Sequence, residues 1–133
     1  MAINIPISWG ELVDKITILE IKTDRIQDVN KLENISKELQ ALRLILDQDC
    51  LEPELIGQLK AELRAVNEKL WKIEDDIRKC EKEKDFSQRF IDLARAVYIN
   101  NDQRAALKRE INTTLKSELF EEKSYEDYSL NGE

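Results

Sequence analysis

The side chains best suited to chemistry gather between residues 95 and 109. Four cations stand there with a phenol, an amide and a carboxyl group, and the set is Arg95, Tyr98, Asn101, Asp102, Arg104, Lys108 and Arg109. Arg104 and Lys108 are four residues apart, and two like charges at that spacing cost a helix a few tenths of a kcal/mol unless a negative group lies nearby. The cluster therefore predicts a negative partner, which is either a bound anion or a carboxylate of the protein.

A helix start in this cluster favours a bound anion. The run Asn100-Asn101-Asp102 predicts a turn and a helix cap. The first amides of a helix point out of its end, where the helix dipole is positive, and so they attract phosphates and carboxylates. The alternative is that Asp92, Asp102 or a carboxylate from another helix neutralises the cations.

A second polar group, formed by Glu11, Asp14 and Lys15, lies near the N-terminus. Glu11 and Asp14 share a helix face, which is how acidic pairs hold Mg²⁺ in some helical enzymes. Such enzymes need a second acidic pair on a later helix, and none stands at comparable spacing. Glu11 also fits a capping box with Ser8, so the alternative is a helix cap with surface charges.

The remaining candidate metal ligands do not form a site. Glu74, Asp75 and Asp76 are consecutive, about 100° apart around a helix, and therefore cannot converge on one ion. The chain has no histidine and only two cysteines, Cys50 and Cys80, which excludes histidine catalysis and leaves too few ligands for zinc. We expect no resident metal or cofactor, except that a small enzyme or binder of an anionic metabolite would be compatible with Mg²⁺, and the sequence assigns no catalytic residue.

The rest of the chain is organised around a long helix with an unbroken apolar stripe. Its apolar residues alternate by three and four, at Ile56, Leu59, Leu63, Val66, Leu70, Ile73, Ile77 and Cys80. This heptad spacing predicts a helix that packs against a partner along its whole length. Trp9 and Trp71 are interpreted as packing residues.

The full pattern predicts one all-α domain over residues 1–133. The expected architecture is a helical bundle built on a long antiparallel, coiled-coil-like hairpin of the second and third helices, because a short turn with Pro53 joins them. Whether the first two helices are separate or form one kinked helix stays open. The expected helices are about 9–26, 30–47, 53–84, 87–99 and 102–119.

The chain ends and helix caps give further expectations. Ile3, Ile5 and Ile7 alternate with other residues before the first helix, which predicts a short extended arm or strand. Ser8 with Glu11, and Asn30 with Glu33, have the spacing of capping boxes. From about Phe120 the chain is polar, and we expect an extended tail.

Composition narrows the class of function. The net charge of −7 argues against nucleic-acid binding, which needs a cationic surface. No apolar run approaches the roughly 20 residues that cross a bilayer, and the first residues lack the pattern of a signal peptide. We expect a cytoplasmic protein without membrane contact.

Five segments resemble a small uncharacterised family of helical proteins from bacteria and phages, domain of unknown function 6165. They are Ile7–Lys22, Asn67–Asp75 with its Leu70-Trp71 pair, Val97-Tyr98, Asn101–Asn112 with its Asn101-Asp102-x-Arg104 start, and Glu121–Tyr125. The resemblance covers nearly the whole chain. It implies no activity or catalytic residue, and it marks the polar positions of the first helix and of 101–112 as the first to inspect.

Two functions follow as expectations. The leading one is a non-enzymatic interaction module that self-associates, or binds a protein partner, through a surplus apolar face of the long helix. The alternative is a small enzyme or binder of an anionic metabolite, held by Arg95, Arg104, Lys108 and Arg109, with Asp14 or Asp102 as acid–base group or metal ligand.

Overall fold

The computed structural model describes residues 1–129 and confirms the all-α class. A short 3₁₀ turn at Pro53–Ile56 precedes the third helix. Within the described residues there is no strand, so the alternating isoleucines near the N-terminus do not form one. The four helices are α1 Trp9–Arg25, α2 Val29–Asp49, α3 Gly57–Glu83 and α4 Gln88–Thr114.

Separate caps make α1 and α2 two helices. The Ser8 hydroxyl accepts a hydrogen bond from the Glu11 amide at 3.1 Å, as expected, but the Glu11 side chain bonds elsewhere and does not complete the box. The second cap is Asp28 rather than Asn30, because the Asp28 carboxylate accepts from the Lys31 amide at 3.0 Å. This cap starts α2 at Val29, one residue before the predicted start.

The core surrounds α1, which packs on all three other helices. One face of α1 meets the apolar stripe of α2 in a cluster of Leu12, Ile16, Leu19, Ile35 and Leu39. The neighbouring face meets α3, α4 and the 3₁₀ turn in a second cluster of Val13, Ile56, Leu63 and Ile111. Buried apolar area on both faces holds α1 in the middle of the fold.

The predicted hairpin of helices two and three is not formed. Instead α3 and α4 make the most extensive contact, and α2 packs on α1. The stripe on α3 meets α4 and α1, so Leu63, Val66 and Cys80 are buried and Ile73 and Ile77 half-buried. The long helix therefore carries no surplus apolar face. The prediction that the stripe packs inward is confirmed, but a heptad pattern does not specify which helix covers it.

The predicted break between a fourth and a fifth helix is also wrong, because α4 is continuous through Asn100-Asn101-Asp102. The Asn100 side chain donates to the Ala96 carbonyl at 2.8 Å and so bonds within the helix instead of capping a new one. Neither Gly nor Pro interrupts this run. The helix ends at Thr114, and Lys116 takes a left-handed conformation with φ 53° that turns the chain back.

A network of ion pairs fixes the C-terminal half of α1. Glu20 receives Arg43 of α2 at 2.8 Å, and Lys60 and Arg64 of α3 at 3.5 and 3.7 Å. Glu20 is the most buried of these groups, with a side chain 12% exposed. Three cations from two helices thus surround one carboxylate where α1 crosses α3.

Beyond this crossing, α3 and α4 continue as a two-helix hairpin. We call residues 72–100 the α3–α4 arm; each of its helices extends about 20 Å from the crossing. In the described part of the chain no hydrogen bond or ion pair joins the arm to α1 or α2. No helix in residues 1–129 combines the length and the apolar character needed to span a bilayer.

Candidate functional site

A buried polar cluster lies where α1, α3 and α4 meet, and Asp14 is its centre. The Asp14 side chain is 1% exposed and accepts two hydrogen bonds from Arg104 of α4, from Nε at 2.9 Å and from a terminal nitrogen at 2.5 Å. Asn67 of α3 donates to the same carboxylate at 2.9 Å. A buried carboxylate is tolerated only when it is paired and hydrogen-bonded, and this one is both.

Asn67 holds the cluster together from α3. Its Nδ2 donates to Asp14 Oδ1 and to the Thr17 hydroxyl, each at 2.9 Å, while that hydroxyl donates to the Asp14 carbonyl at 2.8 Å. Asn67 is not among the site residues predicted from the sequence. The sequence feature that could have identified it is an amide side chain next to Val66, at the edge of the apolar stripe of α3.

Lys108 makes the second contact between α1 and α4. Its ammonium group donates to Glu11 at 2.7 Å and to Glu121 of the tail at 2.8 Å, and its side chain is 10% exposed. Lys15 also approaches Glu11, at 3.6 Å. The buried ammonium is thus neutralised by two carboxylates from separate segments.

These contacts shift two pKa values upward. The hydrogen bonds from Arg104 to Asp14 raise the pKa of the guanidinium despite partial burial. Burial opposes the charge of Lys108, but its hydrogen bonds to Glu11 and Glu121 outweigh burial and raise the pKa of the ammonium. Both cations therefore stay charged at neutral pH.

The C-terminal tail runs back along α4 and supplies its own anions. Glu122 lies 3.3 Å from Arg109, whose guanidinium also stands 5.4 Å from the Phe120 ring centre. Farther along, the Tyr128 ring packs edge-on against Tyr98 with centres 5.1 Å apart. The tail is extended, as expected, and its carboxylates pair with two of the cations that were candidates for an external anion, Lys108 and Arg109.

Gly10 allows α1 to approach α4 closely. A Cβ on Gly10 would overlap the Lys108 carbonyl, and it would stand 2.9 Å from the Asn112 side-chain oxygen. In its place the Gly10 amide donates to that oxygen at 2.6 Å, and the Trp9 amide donates to the Ser117 hydroxyl at 3.3 Å. The first amides of α1 are therefore bound by α4 and by the chain that follows it.

The residues of the predicted anion site do not converge on one point. From Arg95 to Arg109 they follow one continuous helix over about 20 Å, and no helix begins among them to supply free amides. Carboxylates from α1 and the tail neutralise Arg104, Lys108 and Arg109, which is the alternative the spacing left open. Asp102 contacts Tyr128 and raises the pKa of its phenol. Arg95 makes no ion pair among residues 1–129, and anion binding stays a prediction.

The acidic residues do not assemble a metal site within the first 129 residues. Glu11 and Asp14 each bind a cation of α4. In the acidic triplet, Glu74 pairs with Arg78 at 3.1 Å and Asp76 with Lys72 at 2.9 Å, which matches a solvated helix face. The thiols of Cys50 and Cys80 are buried and free.

An open groove of about 410 Å³ lies beside the buried cluster, between α1, α3 and α4. Arg104, Asn101 and Asn67 border it, so three polar side chains of the cluster reach its surface. Ile18 and Ile21 of α1 with Leu70 and Trp71 of α3 form its apolar lining, and Glu74, Asp75 and Arg78 form its rim.

Comparison with known proteins yields one match. A family model described as "Family of unknown function (DUF6165)" matches residues 3–130. No curated protein and no solved structure matches the chain.

Proposed function

This chain belongs to the DUF6165 family of unknown function, and from its geometry we propose that it is a non-enzymatic module that pairs with a second copy of itself. The contact surface is the outer face of α4 in the α3–α4 arm, formed by Ile91, Arg95, Tyr98 and Ile99. The observation that carries the proposal is the exposure of its three large apolar side chains, which is 47% for Ile91, 43% for Tyr98 and 39% for Ile99.

The positions of these residues make one surface. Ile91 and Tyr98 are seven residues apart, so their side chains lie almost one above the other, and Arg95 and Ile99 extend the same face to about 100°. Fully burying an exposed isoleucine is worth about 1.5–3 kcal/mol, and Ile91 and Ile99 still expose a little under half of their surface, so each adds about 1 kcal/mol to a contact. A face of this width is suited to packing against one helix of another chain.

A second copy of the chain fits this face, because the charges on the face can pair with the same charges on the other copy. Arg95 has no ion-pair partner among residues 1–129, and Asp92 and Asp102 flank it on α4 at exposed positions. Tyr128 of the tail borders this face, where it contacts Tyr98 and Asp102. In a two-fold interface the same patch faces itself, so a cation flanked by acids meets acids flanking a cation. Two arms packed in this way make a four-helix arrangement, which covers residues that a lone hairpin leaves half-buried.

The internal pairing of the cations supports this proposal over an anion-metabolising enzyme. Arg104 and Lys108 hold α1 and the tail against α4, and so their charges already have structural roles. Magnesium and other cofactors have no part in the proposal.

The test is the mass of the particle in solution, measured by sedimentation over a wide range of protein concentration. The wild-type chain is expected to shift from monomer to dimer as concentration rises. The double variant Ile91→Asp/Ile99→Asp should stay monomeric, because each dimer would bury four carboxylates. The matched control is Leu44→Asp on α2, where the leucine is 55% exposed.

The control variant is expected to dimerise like the wild-type chain. A wild-type chain that stays monomeric at every concentration contradicts the proposal. Dimerisation of the double variant contradicts the choice of surface, and loss of dimerisation in Leu44→Asp points to α2 instead.

A further inference from the structure

The groove beside the buried cluster has the size and lining of a small-molecule site. Its volume of about 410 Å³ is within the range of ligand pockets. Such pockets are mostly apolar with a few oriented polar groups, and this one combines the four apolar side chains of α1 and α3 with amides and a guanidinium.

Arg104 is a positioned donor at this groove. Its Nε and one terminal nitrogen are bound by the buried Asp14 carboxylate, and the other terminal nitrogen lies 3.5 Å from Asn101 Oδ1. A guanidinium has five N–H donors in a planar fork, so donors remain, and the side chain is 30% exposed. A guanidinium held in this way favours carboxylates, whose two oxygens match the fork.

Asn67 offers an acceptor to the same space. Its two amide hydrogens are used by Asp14 and Thr17, and the ionised Asp14 carboxylate can only accept, which settles the orientation of the amide. Its Oδ1 has no hydrogen-bond partner within residues 1–129. Every fully buried polar side-chain atom in this part of the chain has a partner. This oxygen is therefore not fully buried, and the groove is the open space that the residue, only 5% exposed, borders.

The rim adds negative charge on the α3 side. Asp75 is exposed and forms no ion pair in the described part of the chain, whereas Glu74 is paired with Arg78. The donors Arg104 and Asn101 thus come from α4, and the acceptors Asn67 and Asp75 come from α3. A simple anion would contact only the donors of α4, and a simple cation would contact only the acceptors of α3.

We propose that this groove binds a zwitterionic amino acid with an apolar side chain. The carboxylate binds Arg104 and Asn101, and the ammonium group binds Asn67 Oδ1 and Asp75. The apolar side chain lies against Trp71 and Leu70. The site is separate from the outer face of α4, and so its occupancy does not depend on self-association.

The test follows the indole N–H signals of the two tryptophans by NMR during titration with L-leucine. Trp71 borders the groove and Trp9 does not, so Trp9 is a control inside the same molecule. Leucine is expected to shift the Trp71 signal alone. Leucinamide lacks the carboxylate and N-acetyl-leucine lacks the ammonium group, and each should bind at least about 10-fold more weakly, because each loses a charged group with two hydrogen-bond partners.

Equal shifts from all three compounds, equal shifts at both tryptophans, or no shift with leucine would overturn the proposal. Because Arg104 supports the fold, the variants of choice are Asp75→Asn and Asn101→Ala. Each is expected to weaken leucine binding about 3- to 10-fold without a lower melting temperature. Asp92→Asn, an exposed acid outside the groove, is the control with unchanged affinity. Unchanged affinity in both groove variants also overturns the assignment.

Discussion

The carboxylate of Asp14 shows how much depends on one residue in this fold. It is buried where three helices meet, and its charge is balanced by a single guanidinium from α4. Removing one member of a buried ion pair costs more than the pair itself contributes, because the remaining charge stays in a poorly solvating environment. Replacing Arg104 therefore destabilises the fold mainly because the Asp14 carboxylate stays buried without its cation.

Replacing Arg104 with leucine is expected to lower the free energy of unfolding by about 3 kcal/mol, since Asp14 would keep only its bond to Asn67. Urea unfolding measures this change. The control is Arg109→Leu, whose partner Glu122 is exposed, and exposed pairs contribute about 0–1 kcal/mol. Equal losses in the two variants would contradict the assigned role of Asp14.

At this scale the sequence indicated that the cations of α4 have negative partners, but not which groups those partners are. The like charges of Arg104 and Lys108 indicated that negative groups lie nearby, and Asp14, Glu11 and Glu121 are those groups. Their identity depends on where α1 crosses α4, and no local spacing encodes that crossing. Asn67 could not be identified because one amide beside an apolar stripe has no pattern of its own.

At the scale of elements, the closest approach of α1 to α4 depends on a glycine. Gly10→Ala is expected to lower the free energy of unfolding by about 2–3 kcal/mol, because the new methyl group overlaps backbone atoms of α4 that cannot rotate away. The matched control is Gly57→Ala at the start of α3, where nothing lies within 4 Å of the added atom. This control should raise stability by up to about 1 kcal/mol, since alanine favours helices. Thermal and urea unfolding of both variants decide the matter, and a neutral Gly10→Ala would refute the close approach.

The tail should respond to acid through Glu121. Its hydrogen bond to Lys108 lowers the pKa of the Glu121 carboxyl below the ordinary value of 4.5. A lowered pKa means that the ionised form stabilises the docked tail. This contribution is complete above the ordinary value and is lost as the pH falls through the lowered one. Backbone amide relaxation measured by NMR is therefore expected to show a fixed tail at neutral pH and a looser one in acid.

Two glutamine variants separate this cause from general effects of acid. Glu121→Gln should loosen the tail already at neutral pH and weaken its pH dependence. Glu126→Gln changes an exposed glutamate of the same tail that forms no ion pair among residues 1–129, and it should behave like the wild-type chain. A tail that stays fixed in Glu121→Gln would contradict the role of this contact.

The elements themselves were largely predictable, since Ser8 capped α1 and the stripes of α2 and α3 lie inward. Two expectations were wrong: the polar run of residues 100–102 is not a turn, and α3 packs on α4 and α1 rather than on α2. Asn100-Asn101-Asp102 favours a turn only when its side chains bind the local backbone as caps. In α4 the Asn100 side chain bonds back along the helix, and Arg104 and Lys108 bind α1, so tertiary contacts keep the helix continuous.

At the scale of the whole molecule, stability is unevenly distributed. The part of the molecule outside the α3–α4 arm contains both apolar clusters and the Asp14 cluster. The arm has only two helices to cover its apolar side chains. Segments with fewer buried contacts open more readily than the molecule as a whole. A dilute, monomeric chain is therefore expected to exchange the amide hydrogens of residues 76–95 before those of α1 and of the C-terminal half of α4.

If the arms pair, a higher protein concentration should slow hydrogen exchange in the α3–α4 arm. A partner that binds only the closed arm stabilises it by mass action, so exchange over residues 76–95 should slow as the protein becomes concentrated. The double variant Ile91→Asp/Ile99→Asp should lose this dependence, and Leu44→Asp should keep it. If, in dilute protein, the amides of residues 76–95 exchange as slowly as those of α1 and of the C-terminal half of α4, the uneven distribution of stability is contradicted. An arm that exchanges early at every concentration would leave that distribution intact and reject self-association, because the unpaired face of α4 would then remain open to solvent.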